Sequence, residues 1–421
     1  MTATDPVGAV WAAEGDEAEG VMSGPALCAT ILILALLACG DSRQAGTPAS
    51  SDGTAVAELV TTIGVLDGPE EYLFGDVSAV AADTAGRIYV ADLISSTVRV
   101  YDASGAFLAQ IGRRGAGPGE FTKPYDMTFG PDGRLYVREA YRVSVLATGA
   151  SGVPDSLVAV MPHEGFPYHP ARRGAVDSAG RYYDPNYRYP SYQTGLPPQF
   201  TYRIYSPASL AFDSLPVPEY RNIRATRRAY YMVTQSSGRL VQGLSHAPFD
   251  PVPSWAVTPR GAILGGDGEG YVLFETDARG DTVRTITGPR ARQAVGEAAM
   301  RDSAAALAAR LDTLPVPLAR VLGVSDAVRA RELPDSLPAF VGVHIGDDGR
   351  IWVEQWPPRA GVRRFDVLTP NGELEESVEF SAPLLREPPP WFTRDAIYGV
   401  VQDTASGIER VVKLAIRRTG G

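Results

Sequence analysis

Lysine is nearly missing from this sequence: Lys123 and Lys413 are the only two among 39 basic residues, so the positive charge is almost all guanidinium. Cysteine is as rare, with Cys28 and Cys39 alone, and histidine occurs four times. No serine stands in a G-x-S-x-G frame, which leaves out the nucleophile elbow. No D-x-D-x-D-G loop is present, which leaves out a calcium loop of that type. No H-E-x-x-H or H-x-E spacing groups the histidines for zinc. The formal charge is −10, and a nucleic-acid partner would want a net basic face instead. What the chain has in quantity is glycine (44) and proline (34), a composition typical of GC-rich bacterial genomes.

Residues 27–38, LCATILILALLA, form the one long apolar run. Twelve residues give about 18 Å of helix, too short for a bilayer core but right for the apolar region of a signal peptide. The run ends in Leu36-Leu37-Ala38-Cys39-Gly40, which resembles a bacterial lipobox, with Cys39 as the lipidated residue. Two features depart from that pattern. Leu37 is bulky for its place, and no basic residue precedes Arg43; the upstream piece carries Asp5, Glu14, Asp16, Glu17 and Glu19 instead. A true start at Met22 would explain the acidic leader.

The expected organisation is therefore a signal peptide over 1–38, a small polar tether over 39–55 and a folded domain over 56–421. Removing the leader takes away five acidic residues and Cys28. The formal charge becomes −5, and no disulfide can form. Membrane contact is expected through the lipid on Cys39, with the domain in the bacterial cell envelope, facing the periplasm or the surface.

The domain repeats. Between residues 77 and 111, four alternating runs are separated by DTAG, a short loop and DASG. Alternation marks half-buried strands, and Asp and Gly serve tight turns. Second-strand anchors recur at Ile88, Leu135, Arg181, Ile263, Ile351 and Ile397. Three intervals are 46 or 47 residues; two are longer by about forty, which marks insertions. The last unit has three strand candidates, and AELVTTIG at 57–64 resembles the fourth strand FLAQIG. The expected fold is all-β: a six-bladed β-propeller closed by an N-terminal strand beside residues 411–416. An apolar stripe at Met300, Ala304, Leu307, Leu311 and Leu314 predicts a helical insertion between blades 4 and 5.

The segment DTAGRIYVAD…STVRVYDASGAFLAQIGRRGAGPGEFTKPYDM resembles NHL-type propeller repeats. The whole resembles lipobox-bearing six-bladed propeller proteins of GC-rich bacteria. Within it, IGRRGAGPGEF invites comparison with a phosphate-binding loop. No Lys-Ser/Thr pair follows its glycines, Pro118 offers no N–H, and Glu120 has the wrong charge. It is expected to connect the outer strand of one blade to the inner strand of the next.

Propeller lyases and lactonases that this resemblance brings in place His or carboxylate clusters with a divalent metal at the channel mouth. Here His163, His169, His246 and His344 are scattered, and no cofactor or metal is expected. Most carboxylates, such as Asp83, Asp102, Asp132, Asp177 and Asp348, occupy repeated turn positions. Tyrosine and arginine are concentrated over 182–231, in YYDPNYRYPSY and YRNIRATRRAYYMV. Tyr187, Tyr189, Arg224, Arg228, Tyr230, Tyr231 and His246 are therefore candidate ligand contacts, with inner-strand Trp255 and His344 next, because Arg and Tyr dominate binding surfaces. The expected function is a ligand- or protein-binding module without catalysis. The alternative is a metal-dependent hydrolase or lyase at the channel mouth.

Overall fold

The protein is described by a computed structural model. It describes residues 54–418 apart from 150–151, 163–172, 189–198, 207–208, 217–227, 235–239, 247–248, 250, 252, 299–300, 303–335 and 357–360.

The chain forms a six-bladed β-propeller. β1 (Thr54–Ile63) comes first and belongs to the last blade. Blade one is β2 (Val77–Ala82), β3 (Ile88–Asp92), β4 (Thr97–Tyr101) and β5 (Phe107–Ile111). Blade two is β6 (Asp126–Phe129), β7 (Leu135–Arg138), β8 (Arg142–Thr148) and β9 (Pro154–Pro162). Blade three is β10 (Ala175–Val176), β11 (Tyr182–Arg188), β12 (Gln199–Ser206) and β13 (Ser209–Pro216). A hairpin of β14 (Arg228–Thr234) and β15 (Leu240–His246) stands outside the blades. Blade four is β16 (Ser254–Val257), β17 (Ile263–Gly266), β18 (Val272–Thr276) and β19 (Thr282–Thr287). Blade five is β20 (Gly342–Ile345), β21 (Ile351–Glu354), β22 (Arg363–Leu368) and β23 (Leu374–Phe380). Blade six is β24 (Trp391–Phe392), β25 (Ala396–Gln402), β26 (Glu409–Arg417) and then β1.

Turn chemistry explains the repeat. Asp83 accepts from the backbone N–H of Ala85 and Arg87, from Arg87 Nε and from Tyr89 Oη. Asp177 accepts from the same four positions two blades on: Ala179, Arg181, Arg181 Nε and Tyr183 Oη. In each turn the next-but-two residue is a glycine with φ of +77°, a conformation other residues seldom adopt. These carboxylates are occupied with the fold, as the turn reading expects.

Closure is also as expected. β1 runs antiparallel to β26, from Val56 opposite Arg417 to Ile63 opposite Val411. Its first residues also pair in parallel with β23 of blade five, Thr54 opposite Ser377. The ring therefore closes through one strand that touches two blades.

Successive blades are latched near the axis. Gly174 N–H donates to Asp126 Oδ2, Ser78 Oγ to Pro124 O, and Val343 N–H to Ser254 Oγ. Between sheets the core is aromatic: Tyr89 on Phe129, Tyr136 stacked on Tyr182 at 5.7 Å, and Trp352 stacked on Phe392 at 4.8 Å.

The helical insertion is not supported. No α-helix is among the described elements; besides the short 3-10 turn Glu70–Tyr72, only Glu297, Ala298, Arg301 and Asp302 among the described residues take helical backbone, and residues 303–335 lie outside the described residues. Met300, Ala304, Leu307, Leu311 and Leu314, the stripe that motivated it, all lie outside the described residues. No helix among the described residues is long and apolar enough to cross a membrane.

The strand order gives the disc two different faces. Connections between blades and the loops between second and third strands share one, the loop face. The tight turns between first and second, and third and fourth strands share the other, the turn face. The glycine-rich connection lies on the loop face, between β5 and β6. Gly112 has φ of +73°, and a Cβ there would overlap the buried ring of Phe121. Gly112→Ala should cost about 1–3 kcal/mol in urea unfolding, from backbone strain and displaced packing. A cost below about 0.5 kcal/mol would show that Phe121 does not anchor this connection.

Candidate functional site

Propeller inner strands turn their free edges to the central channel. In blade six that strand is interrupted. Leu384 bridges Val401, and Leu385 N–H donates to Val400 O; the ladder resumes with Trp391 opposite Tyr398. Arg386, Glu387, Pro388, Pro389 and Pro390 are thus extruded toward the axis opposite Gly399. Three prolines in a row cannot donate to a ladder, which is the physical reason for the break.

Arg173 meets this excursion from the other side. It precedes β10 and crosses the channel, and its Nη2 donates to Pro389 O at 2.7 Å and to Val80 O of blade one at 2.9 Å. Its guanidinium lies 4.8 Å over the Trp391 ring, and Nε is 3.8 Å from Asp126 Oδ1 on blade two. One side chain thus ties blades one, two, three and six. Asp126 is buried, and burial pushes its carboxyl up to about 6, against the pull of Arg173.

A second charged group lies at the junction of blades five and six. Buried Glu354 is gripped in two-point fashion by Arg363 and again by Arg386 from the excursion. Its carboxyl is held down at about 2: burial opposes ionisation, and the two guanidiniums outweigh it. His344 is beside them on β20, with its ring 5.1 Å from Phe392 and 6.1 Å from Phe365. Burial is the first cause that holds His344 down at about 3, so it stays neutral at ordinary pH. His344 is placed as an interblade ring, and its Nε2 has no hydrogen-bond partner among the described residues.

The other sequence candidates among the described residues are divided between blade three, the separate hairpin and blade four. Tyr187 lies on β11, opposite Phe200. Arg228, Tyr230 and Tyr231 lie on β14, and the hairpin sets Arg228 opposite His246. Tyr189 and Arg224, like His163 and His169, lie outside the described residues. Trp255 is buried on β16 among Tyr183, Tyr202, Leu215 and Ile263, so packing accounts for it. Tyr182 and Tyr205 are likewise interblade core, which removes four of the seven tyrosines over 182–205 from the surface. Among the described residues, no group of three or more His, Cys, Asp or Glu is placed to hold a metal ion.

Both long insertions leave and rejoin the blades at the loop face. One joins the outer strand of blade three to the inner strand of blade four and carries β14–β15; the other joins blades four and five in the same way. β1 enters at the opposite side, where β26 ends.

A family profile described as a 6-bladed beta-propeller matches residues 56–147. No curated protein sequence matches the chain. Among solved structures, a DUF4221 family member from Bacteroides vulgatus is similar at 10% identity, with 86% of this chain and 97% of that one covered and a TM-score of 0.45. Aldose sugar dehydrogenase from Streptomyces coelicolor is similar at 12% identity, with 87% and 99% covered and a TM-score of 0.41. Virginiamycin B lyase from Staphylococcus aureus is similar at 10% identity, with 81% and 94% covered and a TM-score of 0.34. At these scores none carries an argument about activity, and the blade count rests on the sheet topology of the chain itself.

Proposed function

We propose that this chain is an NHL-like propeller lipoprotein of the bacterial envelope, tethered through Cys39, whose loop face binds a protein or small ligand. The observation that carries the reading is the division of labour between the faces. Both insertions start and end at the loop face, and the first of them carries the hairpin with Arg228, Tyr230, Tyr231 and His246. The N-terminal strand enters from the turn face. A lipid on Cys39 would therefore hold the turn face toward the membrane and leave the loop face free. Residues 40–53 could span about 50 Å fully extended, and about 20 Å as a coil.

The test combines location with footprint. Cys39→Ser should move the protein from the membrane fraction to the soluble envelope fraction. Chemical crosslinks from the wild-type chain in intact envelopes should fall on loop-face residues, and Arg228→Ala with Tyr231→Ala should weaken them. A Cys39→Ser protein that stays in the membrane, or crosslinks concentrated on the turns at Asp102 and Asp348, would overturn the reading.

A further inference from the structure

We infer that the glycine-rich connection and the loops on either side form a docking platform for an acidic peptide segment of a partner protein. This deepens the proposed function and rests on it for the orientation of the loop face.

The connection does cradle a carboxylate, but that carboxylate is its own. Glu120 Oε2 accepts from Gly117 N–H at 2.9 Å, and Oε1 accepts from Arg113 Nε at 2.9 Å. A Cβ at Gly115 would overlap Glu120 Oε2, so the loop interior is filled. Gly117 N–H and then Arg113 hold the Glu120 carboxyl below its usual range. An external phosphate has no room there.

The loop is also braced from both flanks. On one flank, Arg114 Nη2 donates to Ile94 O, and Ser96 Oγ to Thr122 O at 2.8 Å. On the other, Arg142 donates to Ala116 O and Glu120 O, while buried Glu139 accepts from Thr122 N–H and Oγ1 and from Arg142 Nε. The three loops of blades one and two therefore form one rigid piece.

That piece turns its carboxylates inward and its cations outward. Arg113 is 79% exposed, and Arg114 and Lys123 are exposed as well. Beside them stand Ile94 at 60% and Tyr141 at 71% exposure. Most other exposed large hydrophobics, such as Leu108, Val158, Val160 and Val283, lie on outer strands at the rim. Asp76 is an exposed carboxylate close enough to Lys123 to feel its charge. A cationic, aromatic, preorganised surface on a chain of net charge −10 is complementary to acidic side chains interleaved with an apolar one. Guanidinium favours carboxylates by two-point hydrogen bonding, and Tyr141 offers a flat apolar partner. A peptide fits better than an anionic membrane, because the strand that follows the tether enters at the other face.

The probe is a fluorescein-labelled synthetic peptide of alternating Asp and Glu with one central Leu, titrated by anisotropy with soluble full-length Cys39→Ser protein. Binding should weaken at least tenfold from 50 to 300 mM salt. Lys123→Glu should cost about tenfold or more, and Tyr141→Ser about fivefold, with unchanged melting. Equal affinity for a Lys/Arg peptide of the same pattern, or wild-type affinity in both folded variants, overturns the platform. So does tighter binding to anionic phosphatidylglycerol vesicles than to the peptide. If the peptide fails while crosslinks still fall on the loop face, this site is wrong and the functional reading stands.

Discussion

A chain that begins at Thr54 should melt within about 2 °C of one that begins at Gly40, whereas a chain that begins at Val65 should not fold stably. The two truncations differ by eleven residues, and those residues are β1 with Gly64. Residues 40–53 are small and polar and have little to bury. β1 buries Ala55, Ala57 and Ile63 and covers Val412, Leu414 and Ile416 of β26. It also pairs with β23, so its loss opens the ring between blades five and six and leaves two strand edges exposed. Lost apolar burial and ladder bonds together amount to something on the order of 5–10 kcal/mol, comparable with the whole stability of an ordinary domain. Equal urea midpoints for the two truncations would refute closure by β1. Soluble aggregates from the shorter chain, dispersed by an added peptide of sequence TAVAELVTTIG, would support it directly.

What the sequence made legible follows from locality. The turn aspartates and glycines act on neighbours two to four residues away, so their pattern is written in the chain, and the anchors Ile88, Leu135, Ile263 and Ile351 each open a second strand. Interblade latches repeat at nearly the same period: Ser78 with Pro124 and Gly174 with Asp126 are 46 and 48 residues apart. The channel was not legible. Arg173 acts on partners 93 and 216 residues away, and in HPARRGAV nothing distinguishes it from Arg172. The excursion of blade six had a signal, the three prolines of REPPPWF, whose meaning is clear once a ladder is expected there. The clustered tyrosines divide, because composition does not say which way a strand faces: Tyr183 and Tyr202, not among the candidate contacts, pack against blade four. Trp255 and His344 belong to interblade packing for the same reason.

The unexpected residue carries the last prediction. Arg173→Met should cost about 3–5 kcal/mol at pH 8, because Asp126 then stays buried with only Arg138 left to offset its charge and the carbonyls of Val80 and Pro389 lose a donor. The cost should shrink by about 1–2 kcal/mol at pH 5, where Asp126 is mostly protonated. Burial raises the Asp126 carboxyl to about 6, so the folded chain binds this proton more tightly than the unfolded chain does. Its contribution is fully favourable below the unfolded value near 4 and is lost as pH rises through about 6, a swing of about 3 kcal/mol. Asp126→Asn keeps an acceptor for Gly174 N–H and has nothing to ionise. Relative to wild type it should gain stability between pH 4 and pH 7, then hold level. In the Asp126→Asn background, the cost of Arg173→Met should become independent of pH, since the charge that made it pH-dependent is gone. Urea unfolding of the four chains at pH 5 and pH 8 reads all of these terms. A cost for Arg173→Met below 1 kcal/mol, or one equal at both pH values in the wild-type background, would mean that the guanidinium only fills the channel and does not neutralise Asp126.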